Sequence, residues 1–176
     1  MSRELWLLRH AKAERYDGME DFDRSLKKRG KRNAKRIGEW LIEQDLVPSL
    51  VISSPAVRAI MTAKILCETI GFDLDSIKLE KRLYDEGLSR VKSVLVDVPP
   101  SASTVLVVGH NPELEDLLSF LVKPAELPDT NKLLPTAALV RLALPDDWTQ
   151  LSAHCSTLLS VTYPKLLDQE DNIAID

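Results

Sequence analysis

The chain has 176 residues, 44% hydrophobic and 28% charged, with 23 Lys and Arg against 27 Asp and Glu for a net charge of −4. Those are globular proportions, which exclude a wholly disordered chain, and the acidic balance argues against a general nucleic-acid coat. One domain is expected at this length, large enough to bury a core without staples. The only cysteines, Cys67 and Cys155, form no Cys-x-x-Cys pair, which excludes a disulfide scaffold and a Cys-rich zinc module. The apolar run at the N-terminus, Leu5 to Leu8, is too short for a secretory signal, and no run approaches the ~20 residues of a membrane span. A cytoplasmic protein is the expectation.

Leu5 to Leu8 reads as a short buried strand. Leu26, Gly30, Ala34, Ile37, Trp40 and Leu41 then recur at steps of three and four, the period of a helix. Leu50 to Ile52 is a second strand. Ser54 and Pro55 read as an N-cap with proline at the first helical position, opening a helix that runs to about Thr69 and stops at Gly71. Ile77 to Glu80 is a candidate third strand. Leu88, Val91, Val94, Leu95 and Val98 form a helical stripe closed by Pro99 and Pro100.

Thr104 to Val108 is a β-branched buried run. Asn111 and Pro112 cap a helix to about Val122. Residues 123–135, with three prolines, read as a loop, Ala138 to Leu144 as a strand, and one or two more strands fall between 149 and 163. Asp168 to Asp176 reads as a loose acidic tail. The alternation of strands and helices predicts an α/β three-layer sandwich: a mainly parallel central sheet with an antiparallel C-terminal edge. A single domain over 1–164 and a tail over 165–176 are expected.

Two of the three histidines occupy equivalent places. His10 follows Leu5 to Leu8 with Arg9 between, and His110 follows Val105 to Val108 with Gly109 between. Both lie just past the carboxyl end of a strand, the edge where open α/β sheets bind ligands. A single histidine there would be read as a strand cap, but two, one beside an arginine, point to a site. Arg58 adds a cation in the first turn of its helix, unfavourable unless an anion is present. Two arginines and two histidines at one edge suit a phosphate: arginine forks onto its oxygens, and a neutral imidazole can attack phosphorus. No His-x-His, HExxH or Cys cluster suggests zinc, and no GxxxxGK loop suggests a P-loop.

Leu7-Leu8-Arg9-His10-Ala11 resembles the R-H-G signature of the histidine phosphatase (phosphoglycerate mutase-like) superfamily. Ser54-Pro55-Ala56-Val57-Arg58-Ala59 with Thr62-Ala63 looks like its S-P-x-x-R-A-x-x-T-A helix, and Val108-Gly109-His110-Asn111-Pro112 like its second-histidine motif. Asp23-Arg24-Ser25-Leu26 with Gly30, and Pro135-Thr136-Ala137-Ala138, are similar to segments of the small SixA branch, the phosphohistidine phosphatases.

The resemblance implies that His10 becomes phosphohistidine and that Arg9 and Arg58 clamp the phosphoryl oxygens. It implies that His110 stabilises transition-state charge and that Arg24 lies at the pocket rim. It implies neither metal nor organic cofactor. The substrate would be phosphohistidine on a signalling or carrier protein, the alternatives being a small-metabolite phosphomonoesterase or a non-catalytic phosphoprotein-binding module. Neither nucleic acid nor membrane is an expected partner.

Several residues depart from the pattern. Ala11 replaces a usual glycine and would be strained by about 1 kcal/mol if φ were positive there. Ser25 stands where proline is usual and could cap the following helix, and Met61 reads as core filling. Asp85 and Glu86 are the candidate general acid, although an acidic pair at a helix start is also favoured by the dipole. Only residues 87–103 separate Glu86 from the Thr104 strand, and one helix uses them, so no lid domain is expected. Residues 27–36 carry seven cations. They suit the solvated face of an amphipathic helix, or docking of an acidic partner near Arg24.

Overall fold

The structure, a computed structural model, describes residues 2–175. Six strands form one sheet in the order β3-β2-β4-β1-β5-β6: β1 (Arg3–Arg9), β2 (Leu50–Ser53), β3 (Lys78–Leu79), β4 (Thr104–Gly109), β5 (Leu139–Leu144) and β6 (Thr157–Thr162). The first four are parallel, while β5 pairs antiparallel with β1 and β6 antiparallel with β5. The helices are α1 (Lys28–Glu43), α2 (Val57–Ile70), α3 (Leu88–Val96), α4 (Glu113–Leu121) and α5 (Pro164–Ile175).

Strand residues alternate between two cores, as the period of two requires. Leu5, Leu7, Val105 and Val107 face Val91 and Leu95 of α3 and Leu114 and Leu117 of α4. Trp6, Leu8, Leu106 and Val108 face Ile37 and Leu41 of α1 and Ala63 and Leu66 of α2. The result is the expected three-layer sandwich, and among the described residues no lid covers the carboxyl ends of the strands. Each fully buried leucine on these faces contributes about 1.5–3 kcal/mol.

Three local expectations change. The tail is a helix: Leu167 of α5 is buried in the second core, and Asp171 pairs with Arg36 at 3.3 Å. Ser54 is not the cap of α2; Ala56 holds that position, and the Ser54 hydroxyl, two residues upstream, accepts the Ala56 N–H at 3.2 Å. Ser25 does not cap α1, which starts from Lys27 with no side-chain cap. Between 149 and 163 one strand forms, within the expectation of one or two, preceded by a short 3-10 turn at Trp148–Gln150.

Candidate active site

Sheet register brings the two histidines together. Arg9 pairs with Gly109 across β1 and β4, so the next residues leave the sheet side by side. The His10 N–H donates to the Gly109 carbonyl at 3.0 Å, and the two imidazole centroids lie 5.2 Å apart. On the other flank of β4, the Ser54 N–H donates to Val108 O at 2.9 Å, which places the end of β2 beside His110.

The state of His10 follows from its partners. Its Nδ1 lies 2.8 Å from the Ala11 carbonyl, which can only accept, so Nδ1 carries the proton. Its Nε2 faces Nε of Arg58 at 3.3 Å, which can only donate, so Nε2 holds the lone pair. Burial pushes the His10 pKa down to about 3, and His110, Arg58 and Arg9 add repulsion to its cation. The imidazole is therefore neutral near pH 7, with its Nε2 lone pair facing Arg58.

His110 is likewise neutral, lowered to about 4 by burial and then by Arg58. Its Nε2 meets the Ser54 hydroxyl at 2.7 Å, while Nδ1 is buried with no partner among the described residues. Arg9 donates from Nη1 to Leu134 O at 3.0 Å, and its Nε is buried without a partner among the described residues.

Arg58 is 6% exposed and held by more than His10. Its Nη1 donates to Asp21 O at 2.6 Å and its Nη2 to Asp21 Oδ2 at 3.0 Å. The same carboxylate accepts from Tyr84 Oη at 2.7 Å and Arg24 Nη1 at 3.1 Å. Partial burial pushes the Asp21 carboxyl up, but the hydrogen bonds from Tyr84, Arg58 and Arg24 outweigh it and hold the group well below the usual carboxylate range.

These side chains line a cavity of about 600 Å3 that also takes in Arg24, Lys12 and Asp85. Glu86 is not among its lining residues and pairs instead with Arg90 at 3.3 Å. Asp85 adopts a left-handed backbone, φ 54°. Ala11 does not, so its anticipated strain is absent; it is fully buried, and its N–H donates to Thr62 Oγ1 at 3.0 Å. Strain of that kind falls on Ala137, at φ 61°, whose N–H bridges the carbonyls of Arg9 and His10. Met61 packs beside Ala11 and Leu26 as expected.

Sequence reasoning missed Asp21, Tyr84 and Ser54. Asp21 stands three residues before Arg24, one turn of a 3-10 segment at Asp21–Asp23, and that spacing was the available signal. Among the described residues, no group of three or more His, Cys, Asp or Glu is placed to hold a metal ion, and no helix is long and apolar enough to cross a membrane.

The family model of the histidine phosphatase superfamily, branch 1, matches residues 5–86. The uncharacterized protein Rv1276c of Mycobacterium tuberculosis is 30% identical over 163 residues, which are 90% of this chain and all of that one. Among solved structures, a candidate phosphohistidine phosphatase, SixA, of Nakamurella multipartita relates at 28% identity and TM-score 0.78, over 93% of this chain and 97% of the other. Its counterpart in Agrobacterium tumefaciens gives 27% and 0.76, over 92% and 98%. This chain belongs to the histidine phosphatase superfamily, and it is a phosphatase. Within the superfamily it matches the small SixA-type branch.

Proposed function

We propose that the chain removes the phosphoryl group from phosphohistidine on another protein, by way of a phosphorylated His10 and with no metal ion in the steps. One observation carries the reading: a neutral His10 whose Nε2 lone pair is fixed by the Nδ1 bond to Ala11, beside Arg58, on the floor of a lidless cavity. The structural relatives named for phosphohistidine support the substrate class.

His10 Nε2 attacks phosphorus, a P–N bond to His10 forms, and the P–N bond to the substrate ring breaks. The electron pair returns to that ring nitrogen, and a proton on the ring's other nitrogen makes the leaving group neutral imidazole. With a pKa near ~6.5, imidazole departs far more readily than an alkoxide, so the step makes little demand on an acid. Arg9 and Arg58 take the phosphoryl oxygens, His110 supplies a further donor, and Arg24 stands at the rim. The positive charge gained by phosphorylated His10 is stabilised at Nδ1–H by the Ala11 carbonyl. Water then attacks phosphorus, the electron pair returns to Nε2, the water proton passes to solvent, and phosphate leaves. For an ester substrate, Asp85 is better placed than Glu86 to act as the acid, since it lines the cavity.

The test is the intermediate. Acid-labile phosphate is expected on the wild type quenched during turnover and is expected to be absent from His10→Ala, whose activity falls by several orders of magnitude because the covalent route is lost. A His10→Ala variant that kept a tenth of wild-type turnover would remove His10 as the nucleophile.

A further inference from the structure

The cavity holds more positive charge than one phosphoryl group uses. Lys12, Arg15 and Lys27 line it together with Arg9, Arg24 and Arg58. Arg24 and Arg58 are tied to Asp21, whereas Lys12, Arg15 and Lys27 have no carboxylate within pairing distance among the described residues. Among the arginines elsewhere, Arg82 meets Glu80 and Asp97, and Arg141 meets Glu4.

The backbone enforces this crowding. Lys12 follows His10 by two residues, and its carbonyl accepts the Lys27 N–H at 2.9 Å. Gly30 presses onto the same carbonyl so closely that a Cβ there would lie 2.2 Å from the oxygen. The first turn of α1 is thereby seated on the exit of β1, with Lys27 against Lys12. Burial, then repulsion from Lys27, Arg29, Lys132 and Arg15, lowers the Lys12 pKa. α1 also opens on Lys28 and Arg29 with no acidic residue in its first turn, where its dipole disfavours cations. An anion placed among these groups relieves the repulsion and gains charge-assisted hydrogen bonds. There is room for one, since about 600 Å3 lies in the range that holds a drug-sized molecule.

We propose that Lys12, Arg15 and Lys27 form a second anion subsite beside the phosphoryl clamp, for a further phosphate or carboxylate on the same substrate molecule. The assignment rests on the His10 reading above. The substrate is then a phosphorylated group flanked by acid, either acidic side chains next to a phosphohistidine or a second phosphate on a small molecule.

Two series of probes test it. Hydrolysis of p-nitrophenyl phosphate is inhibited with inorganic phosphate, pyrophosphate and tripolyphosphate. Separately, phosphohistidine peptides with flanking Glu are compared with the same peptides carrying Gln. In at least one series the more anionic member is expected to be favoured about tenfold, an effect of ~1.4 kcal/mol. That ratio falls below threefold in Lys12→Gln/Lys27→Gln, and falls partway in Arg15→Gln, an exposed position that serves if the double variant fails to fold. Preference in the polyphosphate series assigns the anion to a second phosphate, and preference in the peptide series assigns it to protein carboxylates. Ratios near one in both series, or a ratio unchanged in these variants, overturn the subsite. Wild-type hydrolysis that persists in His10→Ala overturns the underlying site reading instead, so the two failures are distinct.

Discussion

At the residue scale the site depends on one carboxylate and two imidazoles held in defined protonation states. Asp21 takes two donors of Arg58 and one each of Arg24 and Tyr84. It holds the Arg58 guanidinium in place. Asp21→Ala is therefore expected to lower kcat/KM about tenfold, the value of one good hydrogen bond to a charged group. Asp21→Asn, which keeps one side-chain acceptor, should lose less. Arg58→Ala and His110→Ala remove preorganised donors and should cost about 10²–10³ in rate. Equal losses from Asp21→Ala and Arg58→Ala would place Asp21 in direct contact with substrate.

The histidines also tie folding to pH. Each is neutral in the folded chain until about pH 3 for His10 and about pH 4 for His110. In the unfolded chain they bind protons near ~6.5. Between those values the unfolded state holds more protons, so stability rises with pH and is lost as pH falls from about 6.5 toward 4. The depressed Asp21 carboxyl acts in the same direction at lower pH, weakened by its 55% exposed side chain. Urea unfolding from pH 4 to 7 should show this slope, and His10→Gln/His110→Gln should flatten it. An unchanged slope would mean that the two rings are not desolvated as the structure has them.

At the scale of elements, what was legible in the sequence is what one strand or helix dictates for itself. The apolar runs at 5–8 and 104–108 fix two buried parallel strands, and the residue after each has to emerge at the carboxyl edge. Hence His10 and His110 could be located before any coordinates. Arg58 was legible because it sits one turn into a helix entered from a third strand. The partners that hold these groups were barely marked, because they come from short 3-10 and irregular segments between the main elements. Asp21 reaches Arg58 across 37 residues and Tyr84 reaches Asp21 across 63, with no periodic pattern to mark them. Ser54 carried a local explanation, helix capping, that concealed its contact with His110. The tail was misread because its polar composition outweighed Leu167, the residue that docks it. Gly30 belongs to the helical stripe, but only packing reveals that the Lys12 backbone excludes a side chain there. Gly30→Ala should destabilise by about 1–3 kcal/mol or more, since backbone must move, and should lower activity by displacing the strand exit next to His10. Gly71→Ala is the comparison: it meets open space at φ +77°, so about 1 kcal/mol of stability and none of the activity should be lost.

For the molecule as a whole, a net charge of −4 coexists with a cationic mouth, because the acidic residues lie largely away from it. Lys28, Lys31 and Lys35 extend that field along one exposed side of α1 without lining the cavity. With no lid among the described residues, the surface around the opening can add to the selectivity of the cavity itself. A protein bearing phosphohistidine can use that surface and a good leaving group together, so its kcat/KM should exceed that of p-nitrophenyl phosphate. Charge on α1 should act on association, which is steered over a distance and screened by salt. Lys28→Glu/Lys31→Glu/Lys35→Glu is then expected to lower kcat/KM for an acidic phosphoprotein by about tenfold or more at low ionic strength, and by much less above ~0.5 M salt, where the Debye length falls to a few ångströms. The ratio between protein and small substrate is the informative quantity. If it does not move in the triple variant, or moves equally at low and high salt, α1 is a solvated face, and the preference for a protein substrate must arise within the cavity.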